Sequence, residues 1–312
     1  MNEDMNEDPA GGQNNPSQQH PSSAGEKSAM PALVLVSTPI GNLQDFPPRA
    51  REALAGADVV LCEDTRTSAI LLRAHGIATR TQALHEHNEQ SRIAGLIDSM
   101  REGKHYALIS DAGTPLVSDP GYRLVRAAIE AGLKISGIPG PNAALLALTL
   151  SGLPPHPFMF TGFLPPKSGA RQAAFQTLRA AEMAGLSATH IFYEAPHRTA
   201  EFLADAAAVL GPRPAAVCRE LTKYFEEIRR GTLTELAAHY ATNQARGEIC
   251  IIIAPAPAEA ATAADLDTAL RTALSSMSVK DAAAAVATAT GLPKKQVYQR
   301  ALDLGREAKD VA

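Results

Sequence analysis

Two kinds of hydrophobic pattern alternate along most of the chain. Short runs of apolar and β-branched residues begin at Leu33, and longer segments with apolar residues at helical spacing separate them. This alternation predicts an α/β architecture whose first sheet is largely parallel and buried between helices. The strands predicted in the first part of the chain are LVLV (33–36), VVLC (59–62), YALIS (106–110) and LKISGI (133–138).

The helical segments between these strands stop at glycines. RTSAILLRAHG ends in Gly76 and GYRLVRAAIEAG ends in Gly132, and glycine readily takes the left-handed conformation that closes a helix. The alternation resumes after SGLPPHP (151–157), so we expect a second, smaller α/β lobe. Its predicted strands are FMFTGF (158–163), THIFYE (189–194), AAVCR (215–219) and EICIIIA (248–254).

The polar and small residues between these patterns suggest where the domains begin and end. Residues 1–30 contain too few apolar side chains to offset the entropy lost on folding, so we expect a disordered tail. The lobes are predicted at 31–153 and 154–256, followed by a Pro/Ala linker at 255–264. Three short helices are predicted in 265–312, and the last two are spaced like a helix-turn-helix.

Composition narrows the classes of protein. The 312 residues, 45% of them hydrophobic, suffice for two lobes with sizeable cores. Five acidic residues and one lysine in the first thirty positions account for the whole formal charge of −4, which leaves a neutral body. A neutral body argues against a protein that binds long nucleic acid through its overall charge. A local basic patch is still compatible with the sequence.

Cysteine spacing and hydropathy indicate the compartment. Cys62, Cys218 and Cys250 stand far apart inside apolar runs, without the spacing of a zinc site or a disulfide framework, so we expect core thiols in a reducing compartment. No run approaches the roughly 18–20 apolar residues of a membrane span, and the N-terminus lacks the features of a signal peptide. These observations predict a cytoplasmic protein that does not use a membrane.

Three loops rich in Gly and Pro follow predicted strands of the first lobe. They are TPIGN (38–42), SDAGTPLVSDPG (110–121) and PGPNA (139–143). Ligands of open α/β sheets bind beyond the carboxyl ends of the strands, so the three loops are expected to converge on one crevice. In the second loop, Ser118 or Asp119 is predicted to cap the next helix, with Pro120 in its first turn. The glycine patterns of NAD and nucleoside triphosphate sites are absent.

Eight motifs in order along residues 33–254 carry a resemblance to a known family. TPIGNL, CEDTR, LHEHNE, SDAGTPLVSDPG, PGPNA, GFLP, FYEAPHR and RELTK resemble those of the ribosomal RNA small subunit methyltransferase I family, within the tetrapyrrole methylase superfamily. The resemblance implies two α/β lobes with S-adenosyl-L-methionine (SAM) in the inter-lobe cleft, usually as a homodimer. It also implies methylation of the ribose 2′-hydroxyl of a cytidine in the decoding region of 16S ribosomal RNA.

The same resemblance implies a set of cofactor-binding residues. Glu194 is an alternative to Tyr193 for the contact from the second lobe. The positions implied to bind SAM are Pro39, Asp111, Ala112, Gly113, Thr114, Val117, Asn142, Ala143 and Tyr193.

Methyl transfer from a sulfonium needs alignment more than covalent catalysis, but a base could accept the hydroxyl proton. Asp64 in CEDTR is the candidate, with Glu86 and Glu89 as rivals. Capping a helix or pairing with Arg66 is an alternative role for Asp64. His85 and His87 are two residues apart in LHEHNE, which is predicted to be a loop, but no third ligand is suitably spaced, so no metal is predicted.

Contacts to RNA are predicted from basic residues near the cleft. The C-terminal helices add further cations and could form an auxiliary RNA-binding module, with a packing or dimer-forming helix pair as the alternative. The cleft candidates are Arg66, Lys167, Arg198 and Arg219, together with Arg171 and Lys223, and the C-terminal ones are Lys280, Lys294, Lys295, Arg300 and Arg306.

Two other functions compete with the ribose methyltransferase. A SAM-dependent methyltransferase of a porphyrinoid small molecule would use the same fold, but its first loop is expected to be richer in glycine than TPIGN. A nucleic-acid-binding regulator built on the C-terminal helices would leave the two lobes and their aligned loops without a role.

Overall fold

A computed structural model describes residues 30–257, 263–290 and 292–310. The tail predicted over 1–30 lies outside the described residues except for Met30, and part of the predicted linker also lies outside them. Within the described part of the chain, no helix is both long enough and apolar enough to span a membrane.

The first lobe is built on a parallel five-stranded sheet. Its strands run in the order β3-β2-β4-β1-β5. All four residues of the central β4 are buried, because helices cover both faces of the sheet. The predicted strands are confirmed, with β3 in addition. The strands are β1 (Leu33–Val36), β2 (Val59–Cys62), β3 (Thr81–Ala83), β4 (Tyr106–Ile109) and β5 (Ile135–Ile138).

Five helices belong to this lobe. Gly76 and Gly132 have φ values of +66° and +69°, which confirms the predicted glycine stops after α2 and α4. The hydrophobic residues of α5 face the second sheet rather than the first. The helices are α1 (Pro48–Gly56), α2 (Thr65–Ala74), α3 (Glu86–Arg101), α4 (Tyr122–Glu130) and α5 (Ala143–Ser151).

The second lobe has a mixed five-stranded sheet in the order β6-β7-β10-β8-β9. Only the β6–β7 pair is parallel. Its strands are β6 (Phe158–Phe163), β7 (Thr189–Glu194), β8 (Pro214–Arg219), β9 (Glu227–Thr232) and β10 (Ile249–Ile253), and its helices are α6 (Ser168–Met183), α7 (Thr199–Leu210) and α8 (Leu233–Thr242).

The central strand β10 shows how this sheet is covered. Successive side chains of a strand point to opposite faces, and all five residues of β10 are buried. Ile249, Ile251 and Ile253 pack in the core beneath α6, α7 and α8. Cys250 and Ile252 pack on the other face with residues of α5. The centre of the sheet is therefore buried on both sides, and α5 joins the lobes.

Three helices follow among the described residues of the C-terminal segment. They are α9 (Ala263–Leu274), α10 (Val279–Thr290) and α11 (Lys294–Asp310), at the predicted places. Leu270, Val297 and Ala301 are fully buried in a hydrophobic core that the three helices share. The segment therefore has its own core.

The structure corrects two local predictions in the first lobe. LHEHNE is not a loop, because His85 is the N-cap of α3 and the helix begins at Glu86. Neither Ser118 nor Asp119 caps α4: Gly121 occupies the N-cap position with φ +117°. A Cβ atom at Gly121 would lie 2.6 Å from Leu108 Cδ2, so close packing against β4 requires glycine at this turn.

Candidate active site

Hydrogen bonds join the three strand-end loops of the first lobe. Thr38 and Gly113 form an antiparallel bridge, with N···O distances of 2.8 and 3.1 Å in the two directions. Thr114 Oγ1 donates to Pro141 O (3.2 Å) and accepts from Asn142 Nδ2 (3.1 Å). The predicted convergence of these loops is confirmed.

Gly113 lies at the centre of this arrangement. Its φ is +81°, and a Cβ atom there would lie 3.2 Å from Ile40 Cγ2 and 3.7 Å from Pro141 O. A larger side chain would therefore meet both neighbouring loops. Backbone that is free of a side chain at this point leaves room for a ligand to approach.

The opposite wall comes from the second lobe. Tyr193, Cys218 and Cys250, on three adjacent strands, face the joined loops across a cavity of about 420 Å³. Leu221 lies at this wall and packs in one cluster with Ile40 of the first lobe. The volume falls within the usual range for small-molecule sites, roughly 300–1,000 Å³.

Acidic side chains give the cavity negative potential. Asp111, Asp119, Glu194 and Glu248 all line it. Partial burial and the nearby carboxylates of Glu63 and Asp111 raise the pKa of Asp119 to about 6. Burial also raises the pKa of Asp111 and that of Glu194, even though Arg198 opposes the shift for Glu194. Such a site favours a cationic ligand, which lowers the cost of holding these carboxylates ionised together.

Eight of the nine positions predicted to bind the cofactor line this one cavity. Pro39 does not line it: Pro39 is buried in the loop, and its neighbour Ile40, which is also buried, lines the cavity instead. Glu194, the alternative contact from the second lobe, lines the cavity together with Tyr193. The eight are Asp111, Ala112, Gly113, Thr114, Val117, Asn142, Ala143 and Tyr193.

Comparison with known proteins shows which family the chain belongs to. The family model described as Tetrapyrrole (Corrin/Porphyrin) Methylases matches residues 32–237, and one described as RsmI C-terminal HTH domain matches 260–305. The chain is 51% identical over 276 residues to a ribosomal RNA small subunit methyltransferase I of Mesorhizobium japonicum, covering 88% of this chain and 92% of the relative. The chain belongs to the ribosomal RNA small subunit methyltransferase I family.

Two further comparisons concern the family and the fold. A member of the methyltransferase I family from Micromonospora olivasterospora is 46% identical over 275 residues, which covers 86% of this chain and 85% of the relative. A crystal structure of the methyltransferase CobJ has a TM-score of 0.53 and 20% identity, and it covers 72% of this chain and 94% of the other. This structural likeness supports the tetrapyrrole methylase fold.

The base candidate taken from the family motif CEDTR has a structural role. Asp64 is the N-cap of α2, where its carboxylate accepts from the Arg66 amide (2.8 Å) and pairs with the Arg66 guanidinium (2.8 Å). These hydrogen bonds lower the pKa of Asp64 to about 2. A carboxylate with so low a pKa is a weak base at neutral pH, and Asp64 does not line the cavity.

The rival carboxylates lie in and near α3. Glu89 is buried, and its Oε1 accepts from the Leu124 amide at the start of α4 (2.9 Å), so it caps that helix. Glu86 is exposed in the first turn of α3. His85 caps α3 and His87 is exposed within the helix. No group of three or more His, Cys, Asp or Glu that could hold a metal ion is found among the described residues.

The basic candidates near the cleft differ in how far they are available to a ligand. Arg66 is 90% exposed although it is paired with Asp64, and Lys167 is exposed before α6. Arg198 donates to Leu164 O (2.8 Å) and to Glu194 (3.0 Å). Arg219 donates to Arg246 O (2.9 Å) and to Glu227 (3.3 Å). The last two guanidinium groups therefore hold the second lobe together.

Arg171 is the clearest correction among the basic residues. Its side chain is fully buried and pairs with Asp205 at 2.6 Å, so the prediction that it contacts RNA is wrong. Lys223 is largely buried and bonds to Glu220 (2.9 Å) and Glu248 (3.1 Å).

Several cavity residues were not predicted from the sequence. Asp119 lies in the motif SDAGTPLVSDPG, but its position before a helix predicts only a helix cap. The sequence predicts Cys218 and Cys250 only as core thiols, and both are buried as expected. Glu248 directly follows Gly247 but stands at the start of a predicted strand, not beyond the carboxyl end where ligands of open α/β sheets are expected. These residues reach the cavity because the second lobe folds against the first, which local patterns do not encode.

Proposed function

We propose that the chain transfers a methyl group from SAM to the ribose 2′-hydroxyl of a cytidine in the decoding region of small-subunit (16S) ribosomal RNA. The observation that carries this proposal is the 51% identity, over 88% of the chain, to a protein named ribosomal RNA small subunit methyltransferase I. The position on the nucleotide rests on the motif resemblance.

The residues of the cavity fit SAM as a ligand. SAM carries positive charge on its sulfonium and its amino group, which Asp111 and Asp119 complement. Ile40, Leu221 and Tyr193 provide apolar surface for the adenine. Asn142, whose Oδ1 caps α5 (3.0 Å to the Leu145 amide), is held in a fixed orientation at the wall.

Bound in the cavity, SAM would supply an already activated methyl group. The chain then has to hold the ribose oxygen in line and keep water out, and such alignment accounts for much of the rate of a two-substrate reaction. The joined loops around Gly113 are suited to this task, because hydrogen bonds fix them to one another. Asp64, held as a helix cap, contributes by ordering α2 beside the cavity.

The RNA partner is proposed to meet two surfaces. Arg66 and Lys167 offer exposed charge in the lobes. Lys294 and Lys295 are exposed at the start of α11, the second helix of the helix-turn-helix, where such helices often contact nucleic acid. Lys280 is also exposed, Arg300 on α11 pairs with Asp267 on α9, and the side chain of Arg306 lies outside the described part of the structure.

Two further features of the proposal concern assembly and location. A homodimer, implied by the family resemblance, is supported by apolar side chains on α4, where Tyr122 and Ile129 are each 63% exposed on one helix face. Light scattering of the purified chain tests the dimer, and a monomeric mass would overturn it. Small ribosomal subunits are cytoplasmic, so the proposed substrate places the protein there.

Methyl incorporation from labelled SAM tests the reaction. Isolated small subunits serve as substrate, and nuclease digestion with mass spectrometry identifies the product nucleoside. We expect 2′-O-methylcytidine. Methylation of another nucleoside would overturn the assigned position, and transfer to a porphyrinoid but not to subunits would overturn the RNA substrate.

A further inference from the structure

Two cysteines lie side by side in the wall of the cavity. Strand β10 is antiparallel to both of its neighbours, with Cys250 opposite Tyr193 on β7 and opposite Cys218 on β8. Directly opposed residues project from the same face of a sheet, and their Cβ atoms are about 4.5–5.5 Å apart. All three side chains line the cavity. Tyr193, Cys250 and Cys218 therefore form a row across its floor.

The two thiols sit in apolar surroundings. Cys218 is fully buried and Cys250 is 6% exposed, and both pack with Ala147 and Leu148 of α5. Cys218 Sγ lies 3.8 Å from Ala147 O, to which it donates. Burial raises the pKa of Cys218 to about 12 and also raises that of Cys250. Because the thiolate is the nucleophile, reagents that attack single thiols are expected to react slowly here.

A reagent that binds two thiols at once faces a different situation. Once the first bond forms, the second thiol is already adjacent, so the second step is intramolecular and benefits from a high effective concentration. Sulfur is a soft ligand that prefers soft, thiophilic partners. The fixed spacing across β8 and β10 therefore favours a single bridging atom over two separate modifications.

We propose that Cys218 and Cys250 form a dithiol site that takes a thiophilic, doubly bonding ligand of the trivalent arsenic class, and that an occupied site excludes the cofactor. The exclusion rests on the proposed function, since it requires SAM to use this cavity. The bridge would lie beside Tyr193 and fill part of a cavity of about 420 Å³.

The bridging step involves no oxidation or reduction. An organoarsenic oxide loses its oxygen while two S–H bonds break and two As–S bonds form. The oxygen leaves as water with both thiol hydrogens, and arsenic remains trivalent. No other reactant is required.

Phenylarsine oxide added to the full-length chain tests the proposal. Intact-protein mass spectrometry measures how many molecules bind, and calorimetry measures SAM affinity before and after treatment. The test variants are Cys218→Ala and Cys250→Ala, each of which leaves one thiol in the cavity. Cys62→Ala is the matched control, because Cys62 is also buried but lies in the first sheet away from the cavity wall.

After treatment we expect one bound equivalent of phenylarsine oxide in the chain without substitutions and in Cys62→Ala. SAM affinity should fall at least about tenfold in both, and a small dithiol should restore it. Neither cavity variant should retain the adduct or lose SAM affinity on treatment. Circular dichroism checks that the variants fold. If an alanine variant does not fold, the corresponding serine variant is used in its place.

An adduct that persists in Cys218→Ala or Cys250→Ala would overturn the dithiol site. An adduct on both cysteines that leaves SAM affinity unchanged would overturn the exclusion of the cofactor. If the untreated chain bound no SAM, the proposed function would fail, whereas the mass measurement would still decide whether the dithiol exists.

Discussion

At the scale of single residues, the cavity depends on one position without a side chain and on one carboxylate with altered acidity. Gly113 brings two loops together because nothing projects from it, with Ile40 and Pro141 lying where a side chain would be. Asp119 lies on the same wall, with a pKa near 6 caused first by burial and then by neighbouring carboxylates. Both features favour a compact cationic ligand.

Replacement of Gly113 by arginine is expected to lower SAM affinity at least about tenfold, equivalent to about 1.4 kcal/mol or more. The added side chain would occupy the space between the loops. Gly132→Arg is the matched control: Gly132 also has a positive φ, +69°, but no neighbour lies within 4 Å of its would-be Cβ. Calorimetry measures the SAM affinity of both variants. Equal affinities of Gly113→Arg and Gly132→Arg would show that the cofactor binds elsewhere.

Asp119→Asn is expected to remove much of the pH dependence of SAM binding. The folded-state pKa of Asp119 is raised from 3.8 to about 6, so its carboxylate gains charge as pH rises through 6. A cation should therefore bind about tenfold more tightly at pH 7.5 than at pH 5. Titrations of both proteins across this range measure the effect. Identical pH profiles would contradict the role of Asp119.

At the scale of elements, a buried ion pair fixes α6 against α7. Arg171 is fully buried and pairs with Asp205 at 2.6 Å. Ser168 and Gln172 also donate to Asp205, at 2.9 and 2.7 Å. Because each polar group has a partner, the pair is tolerated inside the lobe, and loss of one member would leave the other charge buried and uncompensated.

Arg171→Ala is therefore expected to lower the free energy of unfolding by about 3 kcal/mol. Lys167→Ala, four residues earlier and exposed, should change it by less than about 0.5 kcal/mol. Urea denaturation of the two variants provides the comparison. Similar midpoints for both would show that the buried pair does not stabilise the lobe.

The elements that the sequence predicted and those it missed differ in their place in the sheets. The predicted strands have apolar runs because they are covered on one or both faces. The two strands that were missed, β3 and β9, lie at sheet edges and are only partly buried, with sequences TQA and EIRRGT. An edge strand needs no hydrophobic run, so periodicity does not reveal it.

The candidate site divides in a similar way. Loops of the first lobe were predictable because Gly and Pro follow strands whose carboxyl ends share one edge. The wall formed by Cys218, Cys250 and Glu248 was not, because the two cysteines lie within strands and Glu248 precedes a strand rather than following one. Helix capping also separates two acidic residues: Asp64 caps α2, which is the alternative role predicted for it, whereas Asp119 does not provide the predicted cap of α4.

At the scale of the whole molecule, the chain is held firmly where it leaves the second sheet. Glu182 Oε1 accepts hydrogen bonds from Arg213 Nη1 (2.6 Å) and from the Ala256 amide (3.2 Å). Arg213 also donates to Ala254 O (3.4 Å). These hydrogen bonds hold the end of the second lobe in place before the C-terminal helices begin. The helices have a core of their own.

Removal of residues 265–312 should consequently leave SAM affinity within about twofold while lowering methyl incorporation into small subunits at least about tenfold. The expected difference arises because one of two linked RNA-binding surfaces is lost. Calorimetry and the incorporation assay measure the two quantities on the same preparation. Equal losses of both would instead assign the helices a folding role.

The position of β10 has a consequence for the order in which the protein is made. The first sheet uses strands that all lie before residue 139, so that lobe can fold early during synthesis. The second sheet places its last strand, β10, in the middle, between β7 and β8. A nascent chain therefore lacks the part of the cavity wall next to β10 until residue 253 has left the ribosome, and only a nearly finished polypeptide can gain stability from a bound cofactor.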